Sequence, residues 1–167
     1  MQKIEPPDAH HLSAAIGWLE LGNMSEAEAE LNRVSATLQC HPDVLEVRWV
    51  LAAEAENWDA GLQVARTLVK MAPGRSSGWL HQAYAIRRAT GGGVRAAQEA
   101  LLPAFGKFPK EPTIPYNLSC YACQLNNLDE ARVWLQRAFE AGDKDTIKTM
   151  ALADLDLKPL WEEIRTL

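Results

Sequence analysis

Small residues recur at a fixed interval along this chain, and that interval limits the possible folds more than any other feature. Ala27, Gly61, Ala97 and Ala131 each stand early in a helical run, at spacings of 34, 36 and 34 residues. A second series, Ala15, Trp49, Ala83 and Ser119, stands in the preceding run of each pair, at spacings of 34, 34 and 36. The two extra residues must therefore lie between Ala83 and Ala97, where Gly91-Gly92-Gly93 falls. Two series locating one insertion mark true internal repeats. A lone helical hairpin cannot bury both its apolar faces, so each copy needs another beside it.

The stretch from Tyr116 to Phe139, YNLSCYACQLNNLDEARVWLQRAF, shows the unit most plainly: two helical runs separated by the polar break Asn126-Asn127. The expected repeats cover residues 9–41, 42–74, 76–110 and 112–143 of one domain, with residues 144–167 left over. Met1 to Pro7 reads as an extended lead, because Pro6-Pro7 cannot sit inside a helix. Asp8 is a candidate cap for the first helix, and Ser25 with Glu28 fits a capping box for the second. Pro103 lies within the sixth helical run, where it removes one backbone bond and is expected to kink the helix. Asp145–Ala153 and Pro159–Thr166 read as shorter closing helices, the second begun by Pro159 and capped by Asp156. Ile147, Met150, Ala151, Leu152, Leu160, Trp161 and Ile164 would cover the open side of the last hairpin, leaving Lys144, Lys148, Glu162, Glu163 and Arg165 in water.

A helix–turn–helix unit repeating every 34 residues is similar to the tetratricopeptide repeat. Tyr116, Leu118, Ala131 and Ala138 fall on consensus positions, as do Gly22 and Ala27 in LELGNMSEAEAEL and the closing Pro73 and Pro109. The second and third units depart most: Trp49 replaces a small residue and Glu56 replaces the turn glycine. Trp49 is expected either to face Gly61, whose missing side chain would make room for the indole, or to pack elsewhere in the core.

The resemblance implies an all-α fold, an α-solenoid (a right-handed superhelix) of four such units plus C-terminal capping helices. It further implies a concave groove lined by the first helix of each unit, and a scaffold or adaptor that binds a peptide or helix of a partner protein there. On that register the first helix offers Leu12, Ile16, Leu19 and Glu20, and the second offers Glu46, Val50, Ala53 and Glu54. The third offers Leu80, His81, Tyr84, Arg87 and Arg88, and the fourth Tyr116, Asn117, Cys120, Cys123 and Gln124. Aromatic and arginine side chains make good interface anchors, so the C-terminal half of the groove is expected to take an acidic segment. The alternative is that an arginine here only serves a helix end, where cations suit the dipole. A chaperone-tail carboxylate clamp does not fit, since Ile16 and Val47 stand where asparagines would be needed.

Signals of chemistry are weak. Cys120-x-x-Cys123 has metal or redox spacing, but it lies mid-helix with no second pair, and buried packing is the stronger reading. His10 and His11 point apart on a helix, and the Gly91–Gly93 run lacks the Lys-Ser/Thr of a phosphate loop. No catalytic motif is present, so a non-enzymatic chain without cofactor or metal is expected. A net charge of −5 argues against nucleic acid, and no apolar run approaches the length of a membrane span. The N-terminus lacks the layout of a secretory signal and three cysteines make no disulfide framework, which together point to the cytoplasm. Self-association of two copies through helical faces is the alternative to an adaptor role.

Overall fold

In the computed structural model, which describes residues 3–167, Asn23, Asn57 and Asn127 hold one structural position in the first, second and fourth hairpins. Each side chain accepts a hydrogen bond from the backbone N–H three residues on, at Glu26, Ala60 and Glu130 respectively. That bond satisfies one of the amides a helix start leaves open. Met1 and Gln2, part of the expected extended lead, lie outside the described residues.

Four hairpins follow from these starts. α1 (Asp8–Glu20) pairs with α2 (Met24–Arg33), and α3 (Pro42–Glu54) with α4 (Trp58–Met71). α5 (Ser76–Arg88) leads through a glycine turn to α6 (Val94–Lys107), and α7 (Thr113–Gln124) pairs with α8 (Leu128–Ala141). α9 (Lys144–Ala153), a 3-10 segment (Leu155–Leu160) and α10 (Trp161–Thr166) close the chain. No strand occurs among the described residues. Pro103 lies inside α6, which runs on through it to Lys107.

Three expected caps are corrected. Ser25 is not the cap of α2; Asn23, two residues earlier, takes that role, its side-chain oxygen accepting from the Glu26 N–H. Asp8 does not cap α1 but accepts from the Ser35 N–H at 2.6 Å and the Ser35 hydroxyl at 2.9 Å, tying the α2 exit to the α1 start. Asp156 does not cap α10; Asp154 caps the 3-10 segment by accepting from the Asp156 N–H.

The turn before each asparagine cap needs a left-handed residue. Gly22 supplies it at φ 73°, Glu56 at 51° and Asn126 at 60°. Glu56 therefore carries a backbone penalty of about 1–2 kcal/mol that glycine would not. In the third hairpin the insertion changes the turn. A Cβ on Gly92 would lie 1.8 Å from the Ile86 carbonyl oxygen, so the turn passes too close to the end of α5 for any side chain at that position.

The helices fall into two compact units, residues 1–81 and 82–167, with the division inside α5. Unit 1 buries Ala15, Leu31, Val34, Val44 and Val47 in one cluster and Leu45, Leu68 and Ala72 in another. Trp49 faces Gly61 as expected: a Cβ on Gly61 would sit 3.6 Å from the Ala52 Cβ and 3.8 Å from Trp49 Nε1. Gly78 likewise lets α5 approach α4, since its Cβ would stand only 3.2 Å from Leu68. In unit 2 the equivalent pair is Ser119 and Ala131, where the buried hydroxyl donates to the Ala131 carbonyl at 2.8 Å.

The end of unit 2 is covered mostly by the residues expected. Ile147, Ala151, Leu160 and Ile164 are buried. Met150 is not: it remains 47% exposed, and Leu157 from the 3-10 segment is fully buried in its stead.

Candidate functional site

The expected groove residues separate into two sets with different surroundings. In unit 1, α1 packs beside α3. Ile16 and Val50 occupy the same position in their repeats, 34 residues apart, and are 43% and 36% exposed. Each is followed one helical turn later by an exposed glutamate, Glu20 and Glu54, again 34 residues apart. Among the described residues neither carboxylate has a hydrogen-bond or ion-pair partner.

Other polar groups of unit 1 are already engaged. Glu46 accepts from His81 Nε2 at 2.7 Å and from the Ser77 hydroxyl. Burial alone would raise its pKa, but the hydrogen bonds from His81 and Ser77 and the nearby Arg75 outweigh it and hold the carboxyl below its ordinary range. His81 in turn stacks on Trp49, ring centroids 3.7 Å apart and planes 12° from parallel. Asp43 receives Arg75 at 2.7 Å. Glu46 and His81, both expected in the groove, thus bind one another and brace α3 against the start of α5.

In unit 2 the corresponding face of α7 is covered by the chain itself. Asp154 accepts from the Tyr116 hydroxyl at 3.0 Å and from the Cys120 thiol at 3.5 Å. Asp156 accepts from both terminal guanidinium nitrogens of Arg87, Nη2 standing 2.9 Å from Oδ1. Gln124 Nε2 donates to the Asp156 carbonyl at 3.4 Å. Arg87, Tyr116 and Gln124 were expected to await an acidic partner; an acidic turn of this same chain, residues 154–156, holds them. Sequence spacing gave no signal of this, because Arg87 and Asp156 are 69 residues apart.

The remaining expected residues stay local. Arg88 lies over the Tyr84 ring, 3.6 Å from its centroid, and donates to the Tyr84 carbonyl near the end of α5. Tyr84 keeps 40% exposure, and Asn117 donates back to the Thr113 carbonyl within α7.

The cysteine pair does not converge on a reactive site. Cys120 and Cys123 are both buried, and burial with the adjacent Asp154 pushes the Cys120 thiol far above its ordinary range. Cys120, Asp154 and Asp156 lie close enough to share an ion, but the Arg87 guanidinium already neutralises Asp156. Tyr121 is raised to about 12 by burial, so it stays protonated at neutral pH. A cavity of about 520 Å³ between α8 and α10 is lined by Leu135, Phe139, Leu160, Ile164 and others, none of them an expected site residue.

No family model matches this sequence, and no curated protein does. Solved structures do match in fold. The chain is similar to "MamA RS-1 ArsTM double mutant" at TM-score 0.69 and 14% identity, over 83% of this chain and 76% of that one. It is similar to TTC0263, described as a thermophilic TPR protein of Thermus thermophilus, at TM-score 0.66 and 18% identity, over 96% and 100%. "MamA MSR-1 C2" gives TM-score 0.64 and 17% identity, over 78% and 74%. The chain therefore has a tetratricopeptide-repeat-like fold, an all-α helical repeat of the α-solenoid class. No described helix is long and apolar enough to cross a membrane.

Proposed function

We propose that the chain is a protein-interaction scaffold whose partner lies along the α1 and α3 face of unit 1. The observation that carries this reading is the contrast at one repeat position. Ile16 and Val50 remain 43% and 36% exposed, while Cys120, their counterpart in the fourth repeat, is only 3% exposed beneath the 154–156 turn. A β-branched aliphatic left facing water at a repeated position gains free energy when covered, about 25 cal/mol per Å² of apolar area. In the fourth repeat the chain lays its own segment on that face.

The closed face of unit 2 favours unit 1 further. Displacing the 154–157 turn would expose the fully buried Leu157 and strand Arg87 and Tyr116 without acceptors. Each of those losses costs about 1.5–3 kcal/mol, an appreciable share of the free energy of micromolar binding, about 8 kcal/mol. The acidic segment expected for this half is accordingly the chain's own.

Affinity capture on immobilised wild type and on an Ile16→Asp/Val50→Asp variant of equal stability tests the reading. A protein held by the wild type and released by the variant is expected. Identical capture by both would reject it. Light scattering over a concentration series identifies self-association, which would instead raise the measured mass with concentration.

A further inference from the structure

The open face of unit 1 also specifies the charge of what it takes, an inference that rests on the interaction reading above. We infer that unit 1 binds a segment combining basic and aliphatic residues. Glu20 and Glu54 are exposed carboxylates at one repeat position, one turn beyond Ile16 and Val50, and neither is spent on an internal cation among the described residues. The neighbouring acids on α3 are spent, Asp43 on Arg75 and Glu46 on His81 and Ser77. What remains is two aliphatic side chains bordered by two unopposed negative charges.

Charge distribution agrees. Unit 1 carries 11 acidic and six basic residues, and unit 2 carries 11 of each, so the whole net charge of −5 resides in unit 1. An acidic field of this kind attracts cationic segments and speeds their encounter. Packed helices lie about 8–10 Å apart. In a polyproline-II segment, residues three apart project to one side about 9 Å apart. Two lysines or arginines at that spacing match Glu20 and Glu54 on neighbouring helices, and the apolar residues between them cover Ile16 and Val50.

The test uses the full chain and labelled peptides read by fluorescence anisotropy. One peptide carries lysines three residues apart with leucine between; a second has glutamate for each lysine; a third has serine for each leucine. The first should bind, and its affinity should fall as salt rises. The Glu20→Gln/Glu54→Gln variant, with unchanged melting temperature, should bind it about tenfold more weakly, the sum of two exposed ion pairs, with a flatter salt dependence. Equal or tighter binding of the glutamate peptide, or full affinity in the Gln variant, overturns the charge assignment. Should Ile16→Ser/Val50→Ser abolish that binding all the same, the face itself stands and only its charge preference falls. If no peptide binds, or neither pair of changes matters, both readings fail together.

Discussion

Arg87 of α5 grips Asp156 of the C-terminal 3-10 segment through both of its terminal guanidinium nitrogens, across 69 residues of sequence. The pair is about four-fifths covered, with 23% and 20% side-chain exposure. It locks the acidic turn over α7, where Asp154 meets Tyr116 and Cys120. Removing one partner leaves the other largely covered and without its counter-ion. Asp156→Ala should therefore destabilise the protein by about 2–3 kcal/mol in urea denaturation. A loss under about half a kilocalorie would mean that the contact is only a surface ion pair.

Gly61 faces the Trp49 indole with room for one methyl and no more. A Cβ there meets Ala52 and Trp49 at ordinary contact distances of 3.6 and 3.8 Å. Gly61→Ala should stabilise by up to about 1 kcal/mol, since alanine is the better helix former. Gly61→Leu should overpack the pair and cost about 1–3 kcal/mol. Equal melting temperatures for these two variants would refute the volume relation between Trp49 and Gly61.

Glu56 and Asn57 make the turn between α3 and α4, the first at φ 51° and the second as cap of α4. Glu56→Gly should stabilise by about 1 kcal/mol by relieving the left-handed backbone. Asn57→Ala should cost about 1 kcal/mol by orphaning the Ala60 amide. Thermal melts of the two variants should move in opposite directions; a shared direction would contradict the turn geometry.

Glu46 links stability to acid. Its folded pKa is lowered, against the pull of burial, by hydrogen bonds from His81 and Ser77. The carboxylate's contribution is thus fully present above its unfolded pKa, about 4.3, and is lost as pH falls through the lower folded value. Wild type should lose more stability than Glu46→Gln between neutral pH and about pH 3.5. Parallel stability curves for the two proteins over that range would show that Glu46 is not held in this way.

The repeat architecture was readable because spacing sets it. Ala15, Ala27, Ala83 and Ala97 are fully buried, and the Trp49–Gly61 pair sits where the second repeat requires. Local signals were less decisive. Ser25 and Glu28 satisfy a capping-box pattern, but α2 starts two residues earlier with Asn23 as its cap, which puts Ser25 inside the first turn. Met150 keeps helical spacing yet faces water, while Leu157 lies in a 3-10 segment with no period to announce it and is fully buried. Asp154 and Asp156 look like ordinary caps in sequence. That they accept from Tyr116 and Arg87 depends on long-range pairing that spacing does not encode.

The open face of unit 1 and the covered face of unit 2 can be compared at one repeat position by thiol labelling. In a Cys40→Ser/Cys123→Ser background, Val50→Cys reports the first and native Cys120 the second. Cysteine at position 50 should react rapidly with an aromatic disulfide reagent, while Cys120, buried and raised in pKa, stays protected until Arg87→Ala loosens the turn above it. Cys120 reacting as fast as the cysteine at position 50 before that change would contradict the account.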